Sequence, residues 1–215
     1  HTTHGRALPF AQGLKLANPE LNVIACGGDG DGMAIGLGHT YHAIRRNVNL
    51  TYILMDNHVY GLTKGQTSPR SDWGFKTKTT PTGNIETPVA TLEMALSAGA
   101  SFVAQGFSTQ LQELTDLIVA AVKHPGFSLV NVFSPCVTFN KVNTYDWFKE
   151  RLVGIDSIED YDRYDKGKVL QHILEHEGLL TGLLYEDRKK RSYEEVSGLA
   201  DNNQMQSVRK FTKAE

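Results

Sequence analysis

Two short apolar runs, each followed closely by polar side chains, constrain this chain more than any other feature of its sequence. The first run, at residues 21–26, leads into a glycine-rich turn that contains Asp29. The second run, at residues 50–55, leads into Asn57, which follows Asp29 by 28 positions. Apolar runs of this length, bounded by glycine or polar residues, are typical of strands buried on both faces of a parallel sheet. The sequence therefore predicts two strands with oxygen-bearing side chains just beyond their ends.

The turn after the first run suits a diphosphate held through a metal ion. Three alternating glycines at residues 28–32 permit a tight turn, and the helix that follows offers free N–H groups at its start. Asp29 and Asp31 would repel an anion, but a magnesium ion between carboxylate and phosphate removes that repulsion. We therefore expect octahedral magnesium bound by the Asp29 carboxylate, the Asn57 amide oxygen and one nearby backbone carbonyl.

Two other motifs are excluded by counting. A dinucleotide fingerprint, G-x-G-x-x-G, has Met33 or Ile35 where its last glycine belongs. An EF-hand loop that began at Asp29 would need ligands at positions where this chain has Met33 and Thr40. The glycine–aspartate turn alone leaves a plain strand–turn–helix open, and Asn57 at this distance favours the metal site.

Composition narrows the class of protein further. A chain of 215 residues with 40% apolar content can bury one substantial core. The net charge of -2 gives no basic surplus for nucleic acid or an anionic membrane, and no run reaches the roughly 18 apolar residues of a spanning helix. Two cysteines make no disulfide framework, so we expect a cytoplasmic protein. The chain begins at His1 rather than methionine, which suggests a fragment.

The remaining pattern alternates between predicted helices and strands. Helices are predicted at residues 7–17, 33–47, 87–98 and 110–123, and further strands at 101–104 and 127–133. This alternation favours an α/β fold, a parallel sheet with helices on both faces. Residues 60–87 show no period and are expected to form a functional or disordered loop. We place one domain at residues 1–148, and we expect residues 149–215 to be an extension that is solvated or docks on a partner.

Five further segments occur in the order found in a known enzyme family: HGRALP at 4–9, GLKLANP at 13–19, AIRRN at 43–47, YGLTKGQ at 60–66 and PCVTFN at 135–140. Together with the span from Asp29 to Asn57, they resemble the thiamine diphosphate-binding β subunit of 2-oxoacid:ferredoxin oxidoreductases. The resemblance covers about residues 1–148. It implies a thiamine diphosphate-binding fold and coenzyme A-dependent oxidative decarboxylation of a 2-oxoacid, with ferredoxin as the electron acceptor.

The resemblance also implies roles for individual residues. Magnesium ligands would be Asp29, Asn57 and the carbonyl of Val59. Contacts to the diphosphate would come from Gly30, Asp31, Gly61, Leu62 and Thr63. His4 resembles a family histidine that reaches the cofactor. No general base is assigned, because in the family the glutamate that activates the cofactor belongs to the α subunit, so the isolated chain is expected to be inactive.

Cys136 resembles a ligand of a 4Fe-4S cluster, which needs four thiolates. In the family the other three cysteines lie upstream of the segment at 4–9, and this sequence does not contain them. Either the chain lacks its amino-terminal part or the cluster is absent. Cys26 lies in the first predicted strand and is expected to be a core residue.

Lys64 follows the diphosphate-binding turn, where a cation could bind a carboxylate of the substrate. The sequence Thr-Lys-Gly-Gln resembles family members that accept 2-oxoglutarate, whose distal carboxylate needs a partner. A counter-charge to the diphosphate or a solvated lysine stays open as an alternative for Lys64.

The resemblance thus implies the β subunit of a heterodimeric enzyme, completed by an α subunit and acting on a 2-oxoacid, with 2-oxoglutarate favoured. The sequence predicts no nucleic-acid partner and no membrane contact. One alternative is a non-redox thiamine diphosphate-dependent decarboxylase or carboligase, which shares the Asp29–Asn57 pattern but not the Cys136 segment. Another is a cofactor-free scaffold fragment of a larger complex.

Overall fold

The computed structural model describes residues 1–199. The helices are α1 (Ala7–Ala17), α2 (Leu37–Arg46), α3 (Thr91–Ser97), α4 (Leu111–Lys123), α5 (Tyr145–Lys149), α6 (Lys166–Glu175) and α7 (Tyr193–Ser197). The strands are β1 (Ile24–Gly28), β2 (Leu50–Asp56), β3 (Phe102–Phe107), β4 (Phe127–Phe133), β5 (Val153–Gly154) and β6 (Leu180–Glu186). A π-helical turn, Asp31–Ile35, precedes α2. The strands form one sheet in the order β1-β2-β4-β3-β6-β5.

The predicted α/β fold is confirmed, because β1, β2, β4 and β3 pair in parallel. Side chains from alternate positions of each strand point to opposite faces of the sheet. Leu54 and Leu129 pack on one face with helices α1, α2, α3 and α6. Val130 and Phe102 pack on the other face against α4. Helices therefore cover both faces of the sheet, as the sequence predicted.

The sheet is mixed rather than wholly parallel, because β6 runs antiparallel to β3. The ring of Phe148 in α5 lies 4.6 Å from that of Phe133, the last residue of β4. The chain therefore stays at the carboxyl edge of the sheet after β4 and enters β5 from there. As a result β5 and β6, which are parallel to each other, run opposite to the first four strands.

The connection from α2 to β2 fixes how β2 enters the sheet. Helix α2 ends at Asn47, which has a left-handed backbone with φ of 55°. The side-chain oxygen of Asn47 accepts hydrogen bonds from the Ser101 hydroxyl at 2.6 Å and from the Phe127 N–H at 3.0 Å. A short polar side chain tolerates this backbone conformation well. Asn47 therefore ties the amino ends of β2, β3 and β4 together.

The prediction that the first strand is buried on both faces is wrong. β1 lies at the end of the sheet, and Ile24 remains 48% exposed, as does Met55 of β2 at 47%. Cys26 is exposed as well, so the expectation of a core cysteine is also wrong. The reason is alternation along the strand, because Ala25 faces the helices while its two neighbours face outward.

Residues 149–199 are not a solvated extension, contrary to one of the two expectations for this part of the chain. Strand β6 lies between β3 and β5, and Leu180 and Leu184 are fully buried. The buried carboxylate of Glu194 in α7 accepts from the Asn49 N–H at 3.1 and 3.2 Å. The sheet thus continues across the boundary expected at residue 148, while residues 200–215 lie outside the described part of the chain. Within residues 1–199, no helix combines the length and apolar character needed to cross a membrane.

Candidate cofactor and metal site

The pairing of β1 with β2 brings the two predicted metal ligands together. Gly28, at the end of β1, is in register with Met55 near the end of β2. The residues that follow, Asp29 and Asn57, therefore lie at the same edge of the sheet. The backbone N–H of Asn57 interacts with the Asp29 carboxylate. Residues 28 positions apart are thus neighbours in the fold.

The turn after β2 presents oxygen atoms in a fixed arrangement. The Asn57 amide oxygen accepts a hydrogen bond from the Val59 N–H at 3.0 Å. His58, between them, has a left-handed backbone with φ of 60°. An amide oxygen has two lone pairs, so Asn57 retains one for a metal ion. The turn at 57–59 is therefore compatible with magnesium ligation by Asn57 and the Val59 carbonyl.

Asp29 carries a carboxylate that is costly to ionise where it lies. The residue is 1% exposed, and burial together with the neighbouring Asp56 carboxylate raises the pKa of Asp29 to about 6. A divalent cation would remove this cost, because it favours the charged form of the ligand. Carboxylate, amide and carbonyl oxygens are also the ligands that Mg²⁺ prefers. The residues present therefore fit a magnesium ion, although residues 1–199 contain no group of three His, Cys, Asp or Glu side chains placed to bind a metal.

A cavity of 1220 Å³ opens at this edge of the sheet. Nearly all the residues predicted to bind the cofactor or its metal line it: His4, Asp29, Gly30, Asp31, Asn57, Val59, Gly61, Leu62 and Thr63. Its walls also include exposed apolar side chains, among them Phe10, Leu14 and Ile24. The cavity is large enough for a cofactor, since small-molecule sites usually measure about 300–1,000 Å³.

Gly30 lies directly against the ring of Tyr60. A Cβ atom at Gly30 would be 2.0 Å from the Tyr60 ring, so no larger residue fits without moving that ring. The Tyr60 hydroxyl donates to the Gly30 carbonyl at 3.1 Å. The loop after Tyr60 is closed by the Tyr60 N–H, which donates to the Gln66 carbonyl at 2.9 Å. These contacts join the turn at 29–32 directly to the loop at 60–66 in the wall of the cavity.

The side chain of Asp31 faces the amino-terminal turn. Its Oδ1 atom accepts from the Gly5 N–H at 2.6 Å and lies 3.1 Å from Nδ1 of His4. The carboxylate therefore positions His4 at the cavity, and a contact from Asp31 to a diphosphate would have to come from its backbone.

Lys64 is not among the residues that line the cavity. It lies in the left-handed backbone region, with φ of 75°, and lines a second pocket of 670 Å³ together with Lys76 and Lys78. Thr63 lines both pockets. Lys64 therefore lines a different pocket from the predicted cofactor residues other than Thr63, although its backbone N–H donates to the Gly61 carbonyl at 3.1 Å. Its role as a substrate ligand stays a prediction.

Cys136 lies beside the loop at 60–66. Its Sγ atom is 3.9 Å from where a Cβ of Gly61 would lie, and the thiol is partly exposed. The same segment contacts the turn at 57–59, because the buried Asn140 side chain donates to the Asn57 carbonyl at 3.3 Å. The two cysteines of this chain, however, are too few for a 4Fe-4S cluster, and Cys26 belongs to β1.

A buried charged group beneath the cavity was missed by the sequence analysis. Arg70 Nε donates to Asp56 Oδ2 at 2.9 Å, and His58 Nε2 lies 3.4 Å from Asp56 Oδ1. Burial acts to raise the pKa of Asp56, but the Arg70 guanidinium and then His58 outweigh it and hold that pKa below its usual value. Burial acts to lower the pKa of His58, and Asp56 reverses this into a raised pKa. Arg70 lies in residues 60–87, where the sequence shows no periodic pattern, so the sequence did not predict this group.

Two families of known sequence match most of the chain. Residues 1–132 match the family described as thiamine pyrophosphate enzyme, C-terminal TPP binding domain. Residues 136–201 match the family described as the C-terminal part of the pyruvate ferredoxin oxidoreductase beta subunit. The predicted thiamine diphosphate-binding fold is confirmed by the first match.

Individual relatives agree with these families. The 2-oxoacid:ferredoxin oxidoreductase subunit beta of Sulfolobus sp is 48% identical over 75% of this chain and 53% of the relative. The 2-oxoglutarate synthase subunit KorB of Archaeoglobus fulgidus is 48% identical over 69% of this chain and 56% of the relative. The chain thus spans about half the length of the curated relatives it matches.

A solved structure matches the fold over nearly the whole chain. It is 2-oxoglutarate:ferredoxin oxidoreductase from Magnetococcus marinus with 2-oxoglutarate, coenzyme A and succinyl-CoA bound. The TM-score is 0.86 at 42% identity, and the match covers 93% of this chain and 68% of that chain. On these matches and on the site geometry, the chain belongs to the β subunits of the 2-oxoacid:ferredoxin oxidoreductases, a family of thiamine diphosphate-dependent enzymes.

Proposed function

We propose that the chain binds the diphosphate of thiamine diphosphate through a magnesium ion held by Asp29, Asn57 and the carbonyl of Val59. The observation that carries the proposal is the meeting of a buried carboxylate and an amide oxygen at the edge of the cavity. The raised pKa of Asp29 supports it, because an isolated buried carboxylate needs a cation to stay ionised.

The other cavity residues bind and orient the cofactor. Backbone groups of Gly30, Asp31, Gly61, Leu62 and Thr63 contact the diphosphate. Gly30 supports this role, because its missing side chain lets the backbone at this turn come close to a ligand. His4 reaches the cofactor, and the Asp31 carboxylate fixes the orientation of its ring.

The reaction that we infer is coenzyme A-dependent oxidative decarboxylation of a 2-oxoacid, with 2-oxoglutarate favoured and ferredoxin as electron acceptor. Bound thiamine diphosphate supplies a carbon nucleophile for the 2-oxo group and accommodates the negative charge left when carbon dioxide departs. The residues of this chain hold and orient the cofactor. Support for the substrates comes from the Magnetococcus marinus enzyme, which matches this chain and has 2-oxoglutarate and coenzyme A bound.

Electron transfer to ferredoxin requires a redox centre near the cofactor. Cys136 is proposed as one ligand of a 4Fe-4S cluster, and its position beside Gly61 and next to the cofactor cavity supports this. This sequence supplies no further thiolates for such a cluster, so we derive no step through it.

An α subunit is proposed to cover the cavity and complete the site. Phe10, Leu14, Ile24 and Met55 form an exposed apolar wall of the cavity. Contiguous exposed apolar surface usually marks an interaction site. We therefore expect the chain to be active only in the complex with its partner.

The test is anaerobic reduction of a viologen dye by the intact complex, with and without coenzyme A, comparing 2-oxoglutarate with pyruvate. Coenzyme A-dependent reduction with 2-oxoglutarate supports the proposal. Release of carbon dioxide without dye reduction would identify a non-redox decarboxylase instead. Absence of bound thiamine diphosphate from the complex would identify a scaffold.

Lys64→Ala tests the proposed substrate role of that residue in the same assay. A selective loss of activity with 2-oxoglutarate supports a contact to the distal carboxylate. The matched control is Lys168→Ala, which removes an exposed lysine on α6 far along the chain. Equal activity of both variants would remove Lys64 from the substrate site.

A further inference from the structure

Residues 68–71 (Ser-Pro-Arg-Ser) contact both turns of the proposed metal site, and their role is not explained by the cofactor contacts. They lie in the irregular segment between β2 and α3, yet Ser68 and Ser71 are buried. Buried backbone outside helices and strands has to find hydrogen-bond partners in other backbone or side-chain groups. The partners of these hydrogen bonds indicate the role of residues 68–71.

The first set of contacts reaches the turn after β1. The Ser68 hydroxyl donates to Oδ2 of Asp29. The Arg70 N–H donates to the same hydroxyl oxygen at 3.2 Å, so the hydroxyl hydrogen is free to face the carboxylate. A hydroxyl has a single hydrogen to donate. The hydrogen bond from the Arg70 N–H therefore leaves the Ser68 hydroxyl hydrogen to donate to Asp29.

The second set of contacts reaches the turn after β2. The Ser71 hydroxyl donates to the carbonyl of His58 at 2.6 Å and accepts from the Ser68 N–H at 2.9 Å. Arg70 Nε donates to the Asp56 carboxylate at 2.9 Å. Asp56 and His58 are the two residues that flank the proposed ligand Asn57. Arg70 and Ser71 therefore form hydrogen bonds with the turn after β2 on both sides of the proposed ligand Asn57.

The segment is itself anchored on a third element. Arg70 Nη1 donates to the carbonyl of Val89 at 2.7 Å, and the Val89 N–H donates to the carbonyl of Pro69 at 2.8 Å. The side chain of Asn84 donates to the carbonyl of Ser71 at 2.9 Å. Residues 68–71 are thus held in place by Val89 and Asn84. They connect the turns after β1 and β2, which are not joined by strand pairing beyond Gly28.

We propose that residues 68–71 position the two halves of the magnesium site, and that Ser68 is the residue that sets the orientation of the Asp29 carboxylate. The inference rests on the proposed function, because it assumes that Asp29 and Asn57 bind the ion. The hydrogen bond from the Ser68 hydroxyl restricts the rotation of the carboxylate before the metal binds. Groups that hold a metal ligand in this way typically change metal affinity about 10- to 100-fold when they are removed.

The test is Ser68→Ala in the intact complex, after removal of metal and cofactor with a chelator. Mg²⁺ is titrated at saturating thiamine diphosphate, and the change in protein fluorescence or the heat of binding gives the Mg²⁺ affinity. We expect Ser68→Ala to weaken Mg²⁺ binding about 10- to 100-fold. Ser68→Thr, which keeps the hydroxyl, should restore most of the affinity. Ser97→Ala, at an exposed serine of α3, should bind Mg²⁺ like the wild type.

Raising the Mg²⁺ concentration separates a positioning role from structural damage. If Ser68 acts through the metal, Ser68→Ala recovers full cofactor occupancy when Mg²⁺ is raised in proportion to the lost affinity. Wild-type affinity in Ser68→Ala, or occupancy that stays low at any Mg²⁺ concentration, would overturn the inference. A wild-type complex that binds thiamine diphosphate without any need for Mg²⁺ would overturn the proposed metal site itself.

Discussion

Replacing Asp29 by asparagine should stabilise the metal-free protein and abolish the proposed metal site. The magnitude follows from the carboxylate, whose pKa is raised from 3.8 to about 6 by burial and by Asp56. Each unit of pKa difference between the folded and unfolded states corresponds to about 1.4 kcal/mol, so ionised Asp29 lowers the unfolding free energy by about 3 kcal/mol. Asparagine keeps the shape and still offers an oxygen to the Ser68 hydroxyl.

The sign of the effect depends on pH in a defined way. Because the pKa of Asp29 is higher in the folded protein, the folded state binds more protons between about pH 4 and pH 6. Stability contributed by this group is therefore lost as pH rises through that window. The advantage of Asp29→Asn should be about 3 kcal/mol at pH 7.5 and should vanish near pH 4.

The assay is urea unfolding of the cofactor-free protein in chelator, followed by circular dichroism at several pH values between 4 and 7.5. Added Mg²⁺ and thiamine diphosphate at about 100 times their dissociation constants should then stabilise the wild type by about 2.7 kcal/mol and Asp29→Asn hardly at all. Asp116→Asn, at an exposed position on α4, should change the unfolding free energy by less than about 0.5 kcal/mol. A variant Asp29→Asn that is less stable than the wild type at pH 7.5 without metal would refute the reasoning.

Three further changes test other parts of the structure. Arg70→Met leaves the buried Asp56 carboxylate without its cation and should cost about 3–5 kcal/mol at pH 7 in urea unfolding. Loss of the Arg70 charge raises the pKa of Asp56, so the destabilisation should shrink as the pH is lowered and the carboxyl takes up a proton. Gly30→Ala forces the Tyr60 ring aside and should weaken thiamine diphosphate binding at least about 10-fold in a fluorescence titration. Phe148→Ala removes a buried ring and should cost about 3–5 kcal/mol of unfolding free energy.

Each of these has a result that would count against it. For Gly30→Ala the control is Gly13→Ala, where a Cβ meets nothing within 4 Å in helix α1 and should raise stability by up to about 1 kcal/mol. Equal cofactor affinity in both alanine variants would contradict the close packing at Gly30. A pH-independent loss in Arg70→Met would contradict the pairing with Asp56. A loss below about 1 kcal/mol in Phe148→Ala would mean that α5 does not belong to the core.

The elements around the site could be predicted because their signals are local. Residues 7–17 and 127–133 have the predicted helix and strand at the predicted bounds. Asp29 and Asn57 could be linked because each follows an apolar run, and strand pairing then brings such residues to one edge. Periodicity and turn composition are properties of neighbouring residues, so they can be recognised without knowledge of the fold.

What failed depends on contacts between distant parts of the chain. The sequence shows an apolar run at residues 179–184. The direction of the strand that it forms depends on the position of α5 at the carboxyl edge of the sheet, which no local pattern predicts. The exposure of Cys26 depends on β1 being at the end of the sheet. The hydrogen bond from Ser68 to Asp29 spans 39 positions in a segment without any period, so no local pattern announces it.

The free edge of β1 has a consequence for handling this protein. Within residues 1–199, β1 pairs only with β2, so its other side presents unpaired backbone groups next to the exposed side chains of Ile24 and Phe10. An open strand edge beside apolar surface is a template for pairing with further chains. Expressed alone, the chain is therefore expected to form aggregates at high concentration. Co-expression with the α subunit proposed to cover this face should keep it dispersed, and light scattering of the two preparations would show the difference.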